Sequence, residues 1–213
     1  MAKRRLMMLG PPGAGKGTQA QRLARELEIP QISTGDMLRG AKKKGTPMGK
    51  KAAQYMDQGE LVPDEVVIGI VEESLSDPEV AGGFILDGFP RTLEQAEALD
   101  DMDVELDAVL NIQVSKEEVI TRLGGRRVCL DCGATYHTEY DPPQVEGVCD
   151  ECGGEDVVRR ADDEPDKIAN RFEDYEQKTQ PLIEFYRKRG RLLDVDGERS
   201  PDQVYEAIVA EIE

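Results

Sequence analysis

The sequence predicts an α/β protein built on a doubly wound, five-stranded parallel sheet. Three observations carry this. Five short apolar runs, at residues 6–9, near Ile32, at 83–88, 108–114 and 192–195, alternate with helical patterns along the chain. The run at 108–114 shows little alternation of apolar and polar residues, as in a strand covered on both faces. The first run leads straight into Gly10-Pro11-Pro12-Gly13-Ala14-Gly15-Lys16-Gly17-Thr18 and then a helix, and such a strand–loop–helix unit belongs to parallel sheets.

The elements follow in order. The first strand, 6–9, precedes a helix over 19–27. Ile32 opens a short second strand that ends at Ser33-Thr34-Gly35-Asp36. Thr34 is expected to cap the next helix, with Asp36 in its first turn. Residues 35–57 read as two short helices broken at Gly45-Thr46-Pro47. Leu61-Val62-Pro63-Asp64 closes that unit, and 64–75 is helical by periodicity. A buried strand at 83–88 ends in an acidic residue. Phe89-Pro90 permits a cis peptide in a tight turn. A helix covers 92–99 and the strand 108–114 follows. Ser115-Lys116-Glu117-Glu118 predicts a capping box for a helix to about Leu123. A long helix over 166–189 is expected to kink at Pro181. A short strand at 192–195 and a helix at 201–212 close the pattern.

Composition bounds the function. A chain of 213 residues makes one compact domain with small insertions, and 5% aromatic content predicts an aliphatic core. The net charge of −17, from 44 acidic and 27 basic residues, disfavours nucleic acid or an anionic membrane as main partner. A local basic pocket can still hold a small anion. The acidity reads either as a well-solvated surface or as adaptation to high salt. No run approaches the roughly 20 apolar residues of a membrane span. The basic start, Met1-Ala2-Lys3-Arg4-Arg5, is followed by four apolar residues and the glycine loop, which is not a signal-peptide pattern. A cytoplasmic location is the expectation.

Three features carry chemistry. In the glycine loop, backbone N–H groups and a helix N-terminus face a phosphate, and glycine permits its close approach. Lys16 adds a mobile positive charge. The general pattern places Ser or Thr directly after the lysine to bind magnesium. Here Gly17 stands there, and the hydroxyl comes one later at Thr18. Asp87, ending the strand at 83–88, sits where such folds carry a magnesium-associated carboxylate, and water would bridge it to the ion. Arg39, Arg91, Arg122, Arg126, Arg160 and Arg171 recur at segment ends, and gathered round the loop they would clamp several phosphates.

Residues 125–163 read as an inserted small module. All four cysteines lie there, as Cys129-x2-Cys132, sixteen residues, and Cys149-x2-Cys152, each pair followed by a glycine. This is zinc-knuckle spacing, and four thiolates without histidine point to a closed structural site. A redox disulfide pair and free thiols are the alternatives. His137, the single histidine, and Tyr136 and Tyr140 read as packing within the module.

The glycine loop, Gln31-Ile32-Ser33-Thr34-Gly35-Asp36-Met37-Leu38-Arg39, Leu86-Asp87-Gly88-Phe89-Pro90-Arg91-Thr92, Gly125-Arg126-Arg127, and Asp162-Asp163 with Arg171 occur in one order. Together they resemble the adenylate kinase family, in its long form with an inserted lid, over essentially the whole chain. Gly17 after the lysine is the form found in that family. The resemblance implies a nucleoside monophosphate kinase fold and the reversible reaction ATP + AMP = 2 ADP, with Mg2+ accompanying ATP and Zn2+ in a four-cysteine lid. It implies a core of residues 1–32, 63–124 and 164–213, an AMP-binding region at 33–62 and a lid at 125–163. It implies catalytic roles for Lys16, Arg91, Arg126, Arg160 and Arg171. ATP would meet Gly13, Ala14, Gly15, Lys16, Gly17, Thr18, Arg122, Arg126, Tyr136 and Arg199. AMP would meet Thr34, Arg39, Gly88, Arg91, Gln95, Arg160 and Arg171, with Gln95 reading adenine. Asp87 would hold magnesium through water, and Cys129, Cys132, Cys149 and Cys152 would hold zinc. The complete set lies in one chain and suggests a monomer. A kinase for another nucleoside monophosphate is a second reading. A nucleic-acid-binding ATPase with a zinc ribbon is a third, disfavoured by the acidic residues around the knuckle, Asp131, Asp150, Glu151, Glu155 and Asp156.

Overall fold

The computed structural model describes residues 3–213, so Met1 and Ala2 of the basic start lie outside the described residues. Five parallel strands form the main sheet: β1 (Arg5–Leu9), β2 (Gln31–Ser33), β3 (Phe84–Asp87), β4 (Ala108–Gln113) and β8 (Leu192–Asp196), in the spatial order β2-β3-β1-β4-β8. The first strand therefore lies in the middle. The chain moves from it to one edge and later crosses to the other, which opens a crevice at the carboxyl ends of the central strands.

Alternation along β1 sends its side chains to two separate cores. Leu6 and Met8 pack against α1 (Lys16–Leu27) and α9 (Pro201–Ile212). Met7 and Leu9 pack on the other face against α4 (Asp64–Leu75), α5 (Leu93–Asp101) and α8 (Pro181–Lys188). Leu38 of α2 (Thr34–Lys43) and Ala52 of α3 (Pro47–Met56) extend that second core toward the crevice. Val119 and Leu123 of α6 (Lys116–Gly125) meet Ile168 and Phe172 of α7 (Pro165–Asp174) in a third, smaller cluster.

Residues 126–158 make a second, antiparallel sheet, in the order β6 (Thr135–His137), β5 (Arg126–Cys129), β7 (Val157–Val158). Its buried cluster is only Cys129, Tyr136, Cys149 and Val157. So small a core does not stabilise a module without a further cross-link.

Two local expectations are corrected and a third is refined. Ser33, not Thr34, caps α2: its side chain accepts from the Asp36 N–H. Thr34 is buried, and its hydroxyl donates to the Gly88 carbonyl at 2.9 Å. The tertiary partner wins over the local one. The capping box at Ser115 does not form. The Ser115 N–H donates to Glu198 at 3.0 Å, and Glu118 accepts from Arg122 instead. The long C-terminal helix is divided by a π-helical turn over Tyr175–Thr179, just before Pro181, in which the Gln180 N–H reaches back to Tyr175 at 2.8 Å. Proline then opens α8, where its missing N–H has no intrahelical acceptor to lose.

Candidate active site

The loop between β1 and α1 lies at the crevice. Gly15 precedes α1 at φ +90°, a left-handed conformation that favours glycine and turns the first helical amides toward the crevice. The Lys16 ammonium donates to the carbonyls of Gly10 and Pro11, each at 2.7 Å. Burial pushes Lys16 from its ordinary 10.5 down to about 7. Asp87 opposes that shift, while Arg91, Arg171 and Arg126 add to it.

Asp87 ends β3 beside this loop. Burial raises its carboxyl above the usual range, against the pull of Lys16 and Arg91. It accepts a hydrogen bond from Gln31 at 3.0 Å. A Cβ on Gly17 would stand 3.4 Å from Asp87 Oδ2, so the glycine leaves this oxygen open from the loop side. A carboxylate oxygen open toward the loop is a hard donor of the kind magnesium takes.

The next turn is built for close approach. Gly88 sits at φ +81°, and a Cβ there would come within 2.8 Å of an Arg91 nitrogen and 3.1 Å of Thr34 Oγ1. The Gly88 carbonyl accepts from both Thr34 (2.9 Å) and Arg91 Nε (2.8 Å). The Phe89–Pro90 peptide is cis. Gln95 is buried at the start of α5. One cavity is lined by Lys16, Thr34, Arg39, Gly88, Arg91, Gln95, Asp162 and Arg171 together, with Leu38, Met56, Val62 and Val67 as its apolar wall.

The arginines form a mutually repelling cluster held by a few carboxylates. Arg126 grips the buried Asp163 with two hydrogen bonds, at 2.7 and 2.6 Å. Arg171 reaches the same carboxylate at 2.9 Å and Asp162 at 3.1 Å. Arg39 pairs with Asp36. Burial and then Arg171 depress Arg91. Burial, with Arg126 and Arg39, brings Arg160 down to about 10, and its Nε is buried with no partner among the described residues. In a chain of net charge −17 this pocket is locally cationic, the property that polyphosphate recognition requires.

Arg122 and Arg199 lie apart from that cavity, by the loop after β8. Arg122 donates to the Gly197 carbonyl (2.8 Å) and Glu118 (2.7 Å), and Arg199 to Asp196 (3.0 Å). Tyr136 points into the knuckle. Its hydroxyl accepts from the Asp150 N–H at 2.8 Å and lies 3.3 Å from Cys149 Sγ. His137 accepts the Glu139 and Tyr140 amides on Nδ1, both at 3.1 Å, and stacks on Tyr140.

The four cysteine sulfurs lie within 4.8 Å of one another, with Cys129–Cys152 at 3.7 Å and Cys132–Cys149 at 3.5 Å. Four sulfurs each about 2.3 Å from a tetrahedral zinc stand about 3.8 Å apart, so the donor set fits that ion. The hydrogen bond from Tyr136 holds the Cys149 thiol below its ordinary value.

Sequence reasoning missed two carboxylates. Asp163, given by the sequence only as half of the Asp162-Asp163 pair, is the buried partner of two arginines. Asp64 was read as a helix start, and its oxygens accept from Gln95 and Thr92. An acidic residue followed by an apolar helix gives the same pattern whether it faces solvent or a neighbouring side chain.

A parallel sheet with a glycine loop after its central strand, beside an arginine-rich crevice, defines a P-loop phosphotransferase acting on nucleotides. Residues 8–191 match the family model for adenylate kinase. The chain is 57% identical over 212 residues to the adenylate kinase of Archaeoglobus fulgidus, covering 98% of this chain and 97% of the relative. It is 55% identical over 208 residues to that of Carboxydothermus hydrogenoformans, with 96% and 97% covered. It is 52% identical over 211 residues to that of Desulforamulus reducens, with 97% and 99% covered. The chain belongs to the adenylate kinase family. Its activity is the transfer of a phosphoryl group between ATP and AMP, giving two ADP, with Mg2+ accompanying ATP. No helix among the described residues is long and apolar enough to cross a membrane.

Proposed function

We propose how the residues divide this reaction. The glycine loop, from Gly13 to Thr18, with Lys16 holds the ATP phosphates. Arg122 and the backbones at Tyr136 and Arg199 meet the rest of ATP. Thr34, Arg39, Gly88, Arg91 and Gln95 hold AMP. Arg126, Arg160 and Arg171 bridge the phosphates around the transferred group. Residues 33–62 form the AMP-binding region and 125–163 the lid, on a core of 1–32, 63–124 and 164–213. The observation that carries this reading is the single cavity that lines Lys16, Arg91 and Gln95 together.

Such a site needs no activated side-chain nucleophile, because an AMP phosphate oxygen is already anionic and nucleophilic. What remains is alignment, neutralisation of repulsion and exclusion of water. Lys16 and the arginines supply charge at fixed places. Magnesium, when bound, adds neutralisation of the ATP phosphates, and Asp87 would hold it through water. The lid closes over the site and keeps water from the transferring group.

The four cysteines hold zinc, which links a module whose own core is four residues. The protein acts as a monomer in the cytoplasm, with no nucleic-acid or membrane partner. A coupled assay across AMP, CMP, UMP and GMP tests the substrate assignment. AMP is expected to be preferred, with Gln95→Leu raising the KM for AMP and leaving that for ATP. Equal use of a pyrimidine monophosphate would overturn it.

A further inference from the structure

Gln95 is the buried amide at the inner end of the AMP side of the cavity, 2% exposed. An amide carries an acceptor on one side and a donor on the other, so a reader of this kind depends on which way it faces. In this chain two neighbours hold the orientation together, each by one hydrogen bond. Asp64 Oδ1 stands 2.7 Å from Gln95 Nε2, and a carboxylate oxygen accepts. The Arg91 backbone N–H stands 2.7 Å from Gln95 Oε1, and an N–H only donates. Rotating the amide by half a turn would set donor against donor at Arg91 and acceptor against acceptor at Asp64. The Asp64 carboxylate is itself fixed: its Oδ2 accepts from Thr92 Oγ1 at 3.0 Å, and that hydroxyl caps α5 by accepting the Gln95 N–H at 3.1 Å. Asp64 is not part of the cavity lining, so it acts on a ligand through Gln95.

Each neighbour uses one hydrogen-bonding position of the amide. One N–H and one oxygen lone pair remain. Adenine offers a donor at its 6-amino group next to an acceptor at N1. Hypoxanthine has nearly the same shape and offers the reverse, an acceptor at O6 and a donor at N1. An amide fixed in one orientation matches one base and presents like against like to the other, and a free amide would rotate to match either.

We propose that Asp64 is a specificity-determining positioning residue, which locks the Gln95 amide in the orientation that accepts a 6-aminopurine monophosphate and rejects a 6-oxopurine one. This rests on the reading that Gln95 faces the AMP base.

The test compares kcat/KM for AMP and for inosine monophosphate, with ATP saturating, in the wild type, Asp64→Ala, Asp64→Asn, Gln95→Leu and the double variant Asp64→Ala with Gln95→Leu. The AMP-to-IMP ratio is expected to fall about tenfold in Asp64→Ala, within the roughly 5- to 150-fold by which a matched bidentate contact to a base discriminates. The KM for AMP rises while kcat at saturating AMP and the KM for ATP hold. A general loss of structure lowers both substrates together and leaves the ratio alone. Asp64→Asn offers a donor as well as an acceptor, so it loosens the lock and lowers the ratio by a smaller factor. If Asp64→Ala does not fold, this variant carries the same comparison. In the double variant the Asp64 change adds nothing to the ratio. Failure of the underlying reading looks different: Gln95→Leu then leaves the KM for AMP unchanged. If Gln95→Leu raises that KM and both Asp64 variants keep the wild-type ratio, the proposed lock is wrong.

Discussion

Arg126 holds Asp163 through both carboxylate oxygens, and the carboxylate it holds is fully buried. The pair joins the first residue of β5 to the end of the 125–163 insertion, so it ties the two strands of chain that enter and leave that module. Arg171 shares the same carboxylate from α7. Replacing Asp163 with Ala leaves two guanidinium groups, each largely buried, without their common partner. Removing one partner of a buried pair costs about 3–5 kcal/mol, and the residual exposure of the arginines brings the expectation toward the lower figure. Denaturant unfolding of Asp163→Ala measures it. An unchanged midpoint would contradict the assigned partnership.

Lys16 gives a pH dependence with a definite sign. Its folded-state value, about 7, lies below its ordinary 10.5 because of burial. Between these values the unfolded chain binds more protons at this position, so its contribution to stability rises with pH across that window. Bound phosphates favour the ammonium. ATP binding is therefore expected to take up a fraction of a proton approaching one at pH 8 and close to none at pH 6. Titration calorimetry in buffers of different ionisation enthalpy reads this directly. Lys16→Met should abolish the difference, and equal uptake at the two pH values would contradict it.

Gly88 is predicted to tolerate no side chain. Alanine there meets an Arg91 nitrogen at 2.8 Å and Thr34 Oγ1 at 3.1 Å, at a φ of +81°. Displacing the Arg91 guanidinium, proposed to bind the AMP phosphate, should raise the KM for AMP by about tenfold or more, the loss of one charge-assisted hydrogen bond. The KM for ATP should move much less. Steady-state kinetics with each nucleotide varied in turn distinguishes the two.

The knuckle predicts about one zinc per chain. Cys149→Ser removes a ligand and a sulfur from a cluster of four buried residues. Metal analysis should show the loss of zinc, and calorimetric melting should show a lower transition for the small antiparallel module. The main sheet keeps its own two cores, so its transition should move less. Full zinc retention in the variant would contradict the ligand set.

The parallel sheet, the glycine loop, Asp87 at the end of β3 and the four-cysteine spacing were legible because each rests on a local pattern of residues. Helix α4 was predicted to its observed bounds, Asp64–Leu75, by periodicity alone. What escaped was set by distant partners. Thr34 was expected to cap α2, yet its hydroxyl goes to Gly88, 54 residues away. Ser115 was expected to make a capping box, yet its amide goes to Glu198, 83 residues away. Asp64 and Asp163 look like ordinary first-turn or loop acids until the fold sets Gln95 beside one and Arg126 beside the other. The π-helical turn at Tyr175–Thr179 had no composition signal, since proline nearby explains a break equally well.

The central claim is that one cationic crevice holds two nucleotides end to end, with Lys16 serving one and the arginines joining both. Calorimetric titration with a bisubstrate analogue, two adenosines joined through five phosphates, tests it most directly. One analogue should bind per chain, and Lys16→Met, Arg91→Ala and Arg171→Ala should each weaken it by about tenfold to a hundredfold, the range for a charged hydrogen bond. Two analogues per chain, or an affinity untouched by the arginine variants, would contradict it.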